Sequence, residues 1–140
     1  MTSISKLAPW TMALAAGLSL VGAPAQAQET YPSRPIKFVV AFPPGGSTDL
    51  VTRIVALRMA AELKQPIVVE NKPGAGGNVA SQFVARAPND GYTIYLGTLA
   101  THGINPVLQN NLPFHHMNDF TMISQIGYYT NLVLVNPKTP

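Results

Sequence analysis

Two glycine loops, each closing an apolar run and opening a helical one, hold the residues with chemistry to offer. The first reads Phe38-Val39-Val40-Ala41-Phe42-Pro43-Pro44-Gly45-Gly46-Ser47-Thr48-Asp49, the second Ile67-Val68-Val69-Glu70-Asn71-Lys72-Pro73-Gly74-Ala75-Gly76-Gly77-Asn78. A helix start presents unpaired N–H groups and a partial positive charge, and glycine lets an anion approach them closely. The chemistry on offer is capture of an anionic group; the alternative is a plain turn. A third stretch, Gly97-Thr98-Leu99-Ala100-Thr101-His102-Gly103, brings Thr98, Thr101 and His102 together. Their side chains can donate to a carboxylate or, equally, satisfy the local turn. Asp49 also reads two ways. It is a first-turn acid that stabilises a helix dipole by about 0.3–1 kcal/mol, or a receiver for the amine of an amphoteric ligand.

Patterns for catalysis are missing. Gly74 to Val79 is not a dinucleotide fingerprint, because Val79 stands where glycine or alanine is required. Gly45-Gly46-Ser47-Thr48 lacks the lysine of a nucleotide-binding P-loop, and no Gly-x-Ser-x-Gly elbow occurs. His102, His115 and His116 lack the spacing and acidic partners of a metal site. His115-His116, beside Pro113 and Phe114, reads as a surface loop. The expectation is a binding protein that uses no catalytic residue, cofactor or metal. A small secreted α/β enzyme acting on a carboxylate with His102 as base is a second class, but no nucleophile or metal accompanies it. A solute-sensing adaptor for a signalling partner is a third.

The elements that must position these loops alternate. Tyr31-Pro32-Ser33-Arg34-Pro35 is an extended lead-in, since residues before proline avoid the α region. Ile36 to Phe42 suits a buried parallel strand. Ser47 or Thr48 caps a helix running to about Lys64, with Leu50, Ile54, Leu57 and Ala61 as its apolar stripe, widened by Val51 and Val55. Ile67 to Val69 is a second strand. Asn78 caps a second helix with Val79, Phe83 and Val84 on its apolar side, and Pro88 stops it. Asn89-Asp90-Gly91 is a turn, and Tyr92 to Gly97 a third strand. Asn105-Pro106 starts a short helical piece through Gln109. Phe120 to Ile126 and Leu132 to Val135 read as further strands. This β-α-β-α-β order predicts an α/β fold with a parallel sheet, whose ligands sit at the C-terminal strand ends. Both glycine loops and the loop after Gly97 fall there.

The N-terminus predicts export. Lys6 is the only charge before Glu29, Leu7 to Val21 is apolar or small, and Ala25-Gln26-Ala27 is a cleavage site of the A-x-A type. Residues 1–27 read as a signal peptide cleaved after Ala27, and the apolar run is short for a membrane span of about 20 residues. Export without any cysteine suits a Gram-negative periplasm. The formal charge is only +3 and is dispersed, too little to imply a nucleic-acid partner, and none is expected. Residues 28–140 suffice for one modest domain.

Together, Tyr31 to Ile36, Phe42 to Asp49, Val69 to Gly77 and Pro88-Asn89-Asp90-Gly91-Tyr92-Thr93 resemble the Bug family, the periplasmic solute receptors of tripartite tricarboxylate transporters. Thr101-His102-Gly103-Ile104-Asn105-Pro106 and Asn118-Asp119-Phe120 follow the family's order too. The resemblance implies a periplasmic binding protein of the Venus-flytrap kind, type II. It also implies a small carboxylate as ligand, membrane transporter subunits as partners, and a monomer for the full receptor. Carried over residue by residue, it places carboxylate contacts on Pro44, Gly45, Gly46, Ser47, Thr48 and Asp49, and on Thr98, Ala100, Thr101 and His102. Family receptors have about 300 residues, two ordinary domains. The resemblance therefore implies that residues 28–140 are an incomplete first lobe without the second, with a strand edge or an apolar helix face left open.

Overall fold

The computed structural model describes residues 30–130, 132 and 134–138, so the segment read as a signal peptide lies outside the described residues. From Pro32 onward the chain forms one compact unit. Its order is β1 (Ile36–Val40), α1 (Ser47–Leu63), β2 (Ile67–Asn71), α2 (Asn78–Ala85), β3 (Thr93–Leu96), a wide π-type turn over Ala100–Ile104, and α3 (Asn105–Leu108). The sheet runs β2-β1-β3 with all strands parallel, and Phe38 lies opposite Val69 on one side and Ile94 on the other.

β1 is the centre of the sheet and is covered on both faces, which is why it reads as an apolar run interrupted only by Lys37 near its start. Val39 and Ala41 pack with Ala80 of α2, and Phe42, Phe83, Val84 and Tyr95 close around them. The alternate residues Ile36, Phe38 and Val40, all buried, turn to the side of α1. Burying side chains of this size contributes roughly 1.5–3 kcal/mol each.

α1 meets the sheet through an unexpected face. Its buried residues are Asp49, Thr52 and Ala56, and the Thr52 hydroxyl donates to the Thr48 carbonyl at 2.7 Å. At about 100° per residue, the stripe of Leu50, Ile54, Leu57 and Ala61 lies on the opposite side of the helix. It is solvent-exposed, with Leu57 73% and Ile54 65% accessible. Small residues let the helix axis come close to the strands, and the bulky stripe is left outside. Among the described residues, β2 and β3 also each lack a neighbour on their outer edge. Among the described residues an apolar helix face and two strand edges are thus open.

Other expectations are corrected. Gly46 is the N-cap of α1 and makes no side-chain cap bond, so Ser47 and Thr48 are its first two helical residues. Likewise Gly77 precedes α2, and Asn78 is inside the helix with its side chain bonded elsewhere. Val79 is exposed, while Ala80 and Ser81 take the buried positions. Residues 120–130 form no strand and, apart from half-buried Phe120, are exposed. Leu132, Leu134 and Val135 are also outside any strand, and Val133 lies outside the described residues. An apolar, β-branched run becomes a strand only when an edge receives it, and none does here.

Candidate functional site

The three candidate loops follow the C-terminal ends of three adjacent parallel strands, where such sheets hold their ligands. In the first loop, Pro43, Pro44, Gly45, Gly46 and Ser47 are exposed. Gly45 has φ +86, a conformation that glycine adopts freely, and its surroundings are empty within 4 Å of where a Cβ would stand. The first backbone bond of α1 runs from the Leu50 N–H to the Gly46 carbonyl at 3.0 Å. The N–H groups of Ser47, Thr48 and Asp49 thus lie before the first helical bond, available to an acceptor.

Asp49 is not on that surface. Its side chain is only 3% exposed, and its carboxylate is saturated by neighbours. Oδ2 accepts from the Gly45 N–H at 2.9 Å and from Arg53 Nε at 2.9 Å, and Oδ1 accepts from Asn71 Nδ2 at 2.9 Å. Arg53 above all, then the Gly45 amide and Asn71, hold the Asp49 carboxyl far below the usual carboxylate range, against the opposing effect of burial. Asn71 Nδ2 also donates to the Phe42 carbonyl at 3.0 Å, and Arg53 Nη2 reaches Asn71 Oδ1 at 3.3 Å. Of the two sequence readings of Asp49, the geometry favours a structural acid over an amine receiver.

The third loop is organised around Thr101, which is fully buried. Its Oγ1 accepts from the Thr98 N–H at 3.0 Å, lies 3.2 Å from the Thr98 carbonyl and 2.9 Å from His102 Nδ1. Ala100 is half-buried within the turn. The His102 ring lies against Tyr95 at 5.7 Å and edge-on to Phe120 at 4.9 Å. Gly97 makes room for it: a Cβ there would stand 3.1 Å from the imidazole. Burial, and secondarily the nearby His116, push the His102 pKa down, so the ring is neutral at pH 7 and offers an ordinary rather than a charge-assisted hydrogen bond.

The second loop is a packing element. Gly77 has φ +98, and a Cβ there would stand 2.4 Å from Thr101 Cγ2 and 3.1 Å from Ala41 Cβ. Asn105 Nδ2 donates to the Gly76 carbonyl at 3.0 Å and to Asn78 Oδ1 at 2.8 Å, and Asn78 Nδ2 donates to Gln109 at 2.7 Å. These bonds tie the second loop to the segment that follows the third. Sequence reasoning does not single out Asn71 or Asn105. A polar residue at a strand end or helix start carries no periodic signal, and its partners lie 18 to 29 residues away.

His115 and His116 stack at 5.1 Å, and His115 Nδ1 accepts from the N–H groups of Met117 and Asn118, so the pair shapes a turn. Among the described residues, no three side chains of the metal-binding types come together. A groove of about 450 Å³ lies at the other end of the sheet. Lys37, Phe83, Arg86 and Thr93 help line it, and none of the candidate residues does. Near it, Glu70 is held between Lys37 at 2.9 Å and Lys72 at 2.6 Å, with the Lys72 ammonium 4.1 Å over the Phe83 ring. The candidate loops form an open rim rather than an enclosed cavity.

A parallel sheet with glycine loops at its carboxyl ends places their amides where such sheets hold ligands, an arrangement that serves many functions. Comparison with known proteins makes this specific. Residues 51–140 match the tripartite tricarboxylate transporter family receptor, TctC, and the chain belongs to that family. It is 44% identical over 121 residues to a UPF0065 protein of Bordetella pertussis, covering 86% of this chain and 37% of that protein. It is 38% identical over 119 residues to Protein BugT of the same organism, covering 84% and 36%. The chain thus spans about a third of the length of these curated relatives. Among solved structures it resembles MatC from Rhodopseudomonas palustris with bound malate, at TM-score 0.63 and 44% identity, over 65% of this chain and 31% of that one. An R. palustris protein with adipate matches at TM-score 0.59 and 35% identity, over 61% and 29%. A structure described as a periplasmic transporter matches at TM-score 0.59 and 49% identity, over 60% and 28%. The family is one of solute-binding receptors rather than enzymes.

Proposed function

We propose that this chain supplies the N-terminal part of the first lobe of a periplasmic receptor that captures a small carboxylate for a tripartite tricarboxylate transporter. The observation that carries the reading is the first glycine loop, an exposed helix start whose N–H groups precede the first helical bond. The relatives solved with malate and adipate support the ligand class. In this reading residues 1–27 are the export signal. The ligand's carboxylate is met by the loop of Pro44, Gly45, Gly46, Ser47 and Thr48, which Asp49 braces from behind. Thr98, Ala100 and His102 form the second wall, and the buried Thr101 orders it from behind by its bonds to Thr98 and His102. A second lobe closes over the ligand and strengthens these contacts by excluding water. The full receptor is a monomer that hands its ligand to membrane subunits, with no part for nucleic acid.

The test is calorimetry of the full-length receptor that carries this chain, with malate, adipate, a neutral sugar and a metal chelator. Heat of binding with the dicarboxylates, unchanged by the chelator and not reproduced by the sugar, is expected. The same preparation should have an intact mass that begins at Gln28. Tight binding of the sugar, or a mature species retaining Leu7 to Val21, overturns the corresponding part.

A further inference from the structure

We infer that Asn71 is a positioning residue of the carboxylate site: from the end of β2 it locks the first glycine loop, through Asp49, in the conformation that leaves its remaining amides turned to a ligand. This role rests on the proposed receptor reading, which does not itself contain Asn71.

The hydrogen bonds carry it. Asp49 is the third residue of α1, and its carboxylate folds back to take the Gly45 N–H. This resembles the return half of a capping box, in which an acid near the helix start binds an amide just ahead of it. Here the amide belongs to the residue before the N-cap, so the brace reaches past the helix start into the loop. It fixes Gly45 at φ +86. The Gly45 N–H is thereby directed inward and spent. The amides beyond it, from Gly46 to Asp49, are the ones left for an anion.

A buried carboxylate holds a loop only if it is itself fixed. Arg53, on the same helix and one turn on, fixes it to α1. Asn71 is the contact that ties it to the sheet. One Asn71 Nδ2 group serves both Asp49 Oδ1 and the Phe42 carbonyl, bonding the helix start and the strand exit at once. The register of β1 on β2 places Asn71 beside Val40, and the Lys72 N–H bonds the Val40 carbonyl at 2.8 Å, so the side chain is delivered by the sheet. No other described side chain donates to both sides of this loop.

Amide hydrogen exchange on the mature chain, with and without malate, tests the lock. In the parent chain the Gly45 amide is expected to be protected, and Asn71→Ala should speed its exchange about tenfold, the worth of one hydrogen bond. The Ile36–Val40 amides should keep their protection, which a general loss of structure would not allow. Malate affinity should fall by a similar factor. Asn71→Asp keeps the side chain's shape but replaces the donor with a second carboxylate against Asp49, whereas Asn71→Leu removes the donor without adding charge, so the leucine variant decides the matter should the alanine variant fail to fold. Adding Asp49→Asn to Asn71→Asp exchanges donor and acceptor and should restore part of the affinity. Unchanged Gly45 exchange in the Asn71 variants overturns the lock. Faster exchange with unchanged malate affinity overturns its link to binding. The parent chain tests the underlying reading separately: malate should slow exchange at Gly46, Ser47 and Thr48. If it does not, the receptor site is elsewhere, and Gly45 still reports on the lock.

Discussion

The two glycine loops look alike in sequence and differ in what their glycines are for. Gly45 and Gly46 stand in open space: a Cβ at Gly46 would meet only the Pro43 carbonyl, at 3.8 Å, and one at Gly45 would meet nothing. Gly77 is walled in by Thr101 and Ala41, and Gly74 by Val79. The first pair keeps a surface clear for something that arrives from outside. The second lets two parts of the chain touch. A glycine-rich strand-to-helix turn is therefore evidence of close approach, and only the surroundings say whether a ligand or the protein itself does the approaching.

That contrast can be broken most severely at Gly77. Gly77→Ala combines a positive φ with a Cβ forced into Thr101, and it is expected to destabilise the chain by on the order of 3 kcal/mol. Chemical denaturation measures this, and a loss under about 1 kcal/mol would deny the packing role. Gly46→Val is expected to behave oppositely. Gly46 has φ −75 and free space, so the melting temperature should hardly move. A branched side chain beside the loop amides should weaken malate about tenfold or more by calorimetry. A variant that loses stability and keeps affinity would place Gly46 with Gly77.

The brace behind the first loop gives a pH dependence. The folded state holds Asp49 ionised well below its ordinary value of 3.8, so its contribution to stability is complete above that pH and is lost as pH falls beneath it. Glu70, lowered first by Lys72 and then by Lys37, acts in the same direction. A thermal melt followed from about pH 6 to about pH 2 should fall on the acid side, and Asp49→Asn should flatten that fall. An identical slope in the variant would remove Asp49 from the account. The smallest effect is expected on the outer face of α1. Leu57→Lys should change stability by no more than about 0.5 kcal/mol and reduce self-association in size-exclusion chromatography. A large loss of stability would mean that the stripe is covered in solution.

The sequence is most readable where one residue type answers one local demand. Ile36 to Val40 had to be buried on both faces, and Gly45 had to precede a helix, so the strand–helix order and the position of the loops can be read directly. The orientation of α1 cannot. Its apolar stripe implies the sheet side, whereas Asp49, Thr52 and Ala56 take that side because the acid is needed at the loop and small residues permit close packing. The roles of Thr98 and Thr101 stay open in the sequence because a hydroxyl serves a turn and a ligand equally well. The structure shows both engaged in the turn. The expected final strands fail for a different reason. Strand formation at 120–126 depends on a partner edge, which no property of those residues can reveal.

The amide-lined rim has one consequence for how a ligand is found. No lysine or arginine belongs to residues 43–49, and the nearest guanidinium, Arg53, is neutralised by Asp49. In the proposed receptor an anion at this rim would be held by neutral dipoles whose reach is short, not by a fixed cation that attracts it over a Debye length of about 8–10 Å. Capture at this rim is expected to be nearly indifferent to ionic strength, with no acceleration from long-range steering. Such a collector suits a compartment whose salt content follows the medium outside the cell. Its performance is set by how many copies are present and how long each one holds on.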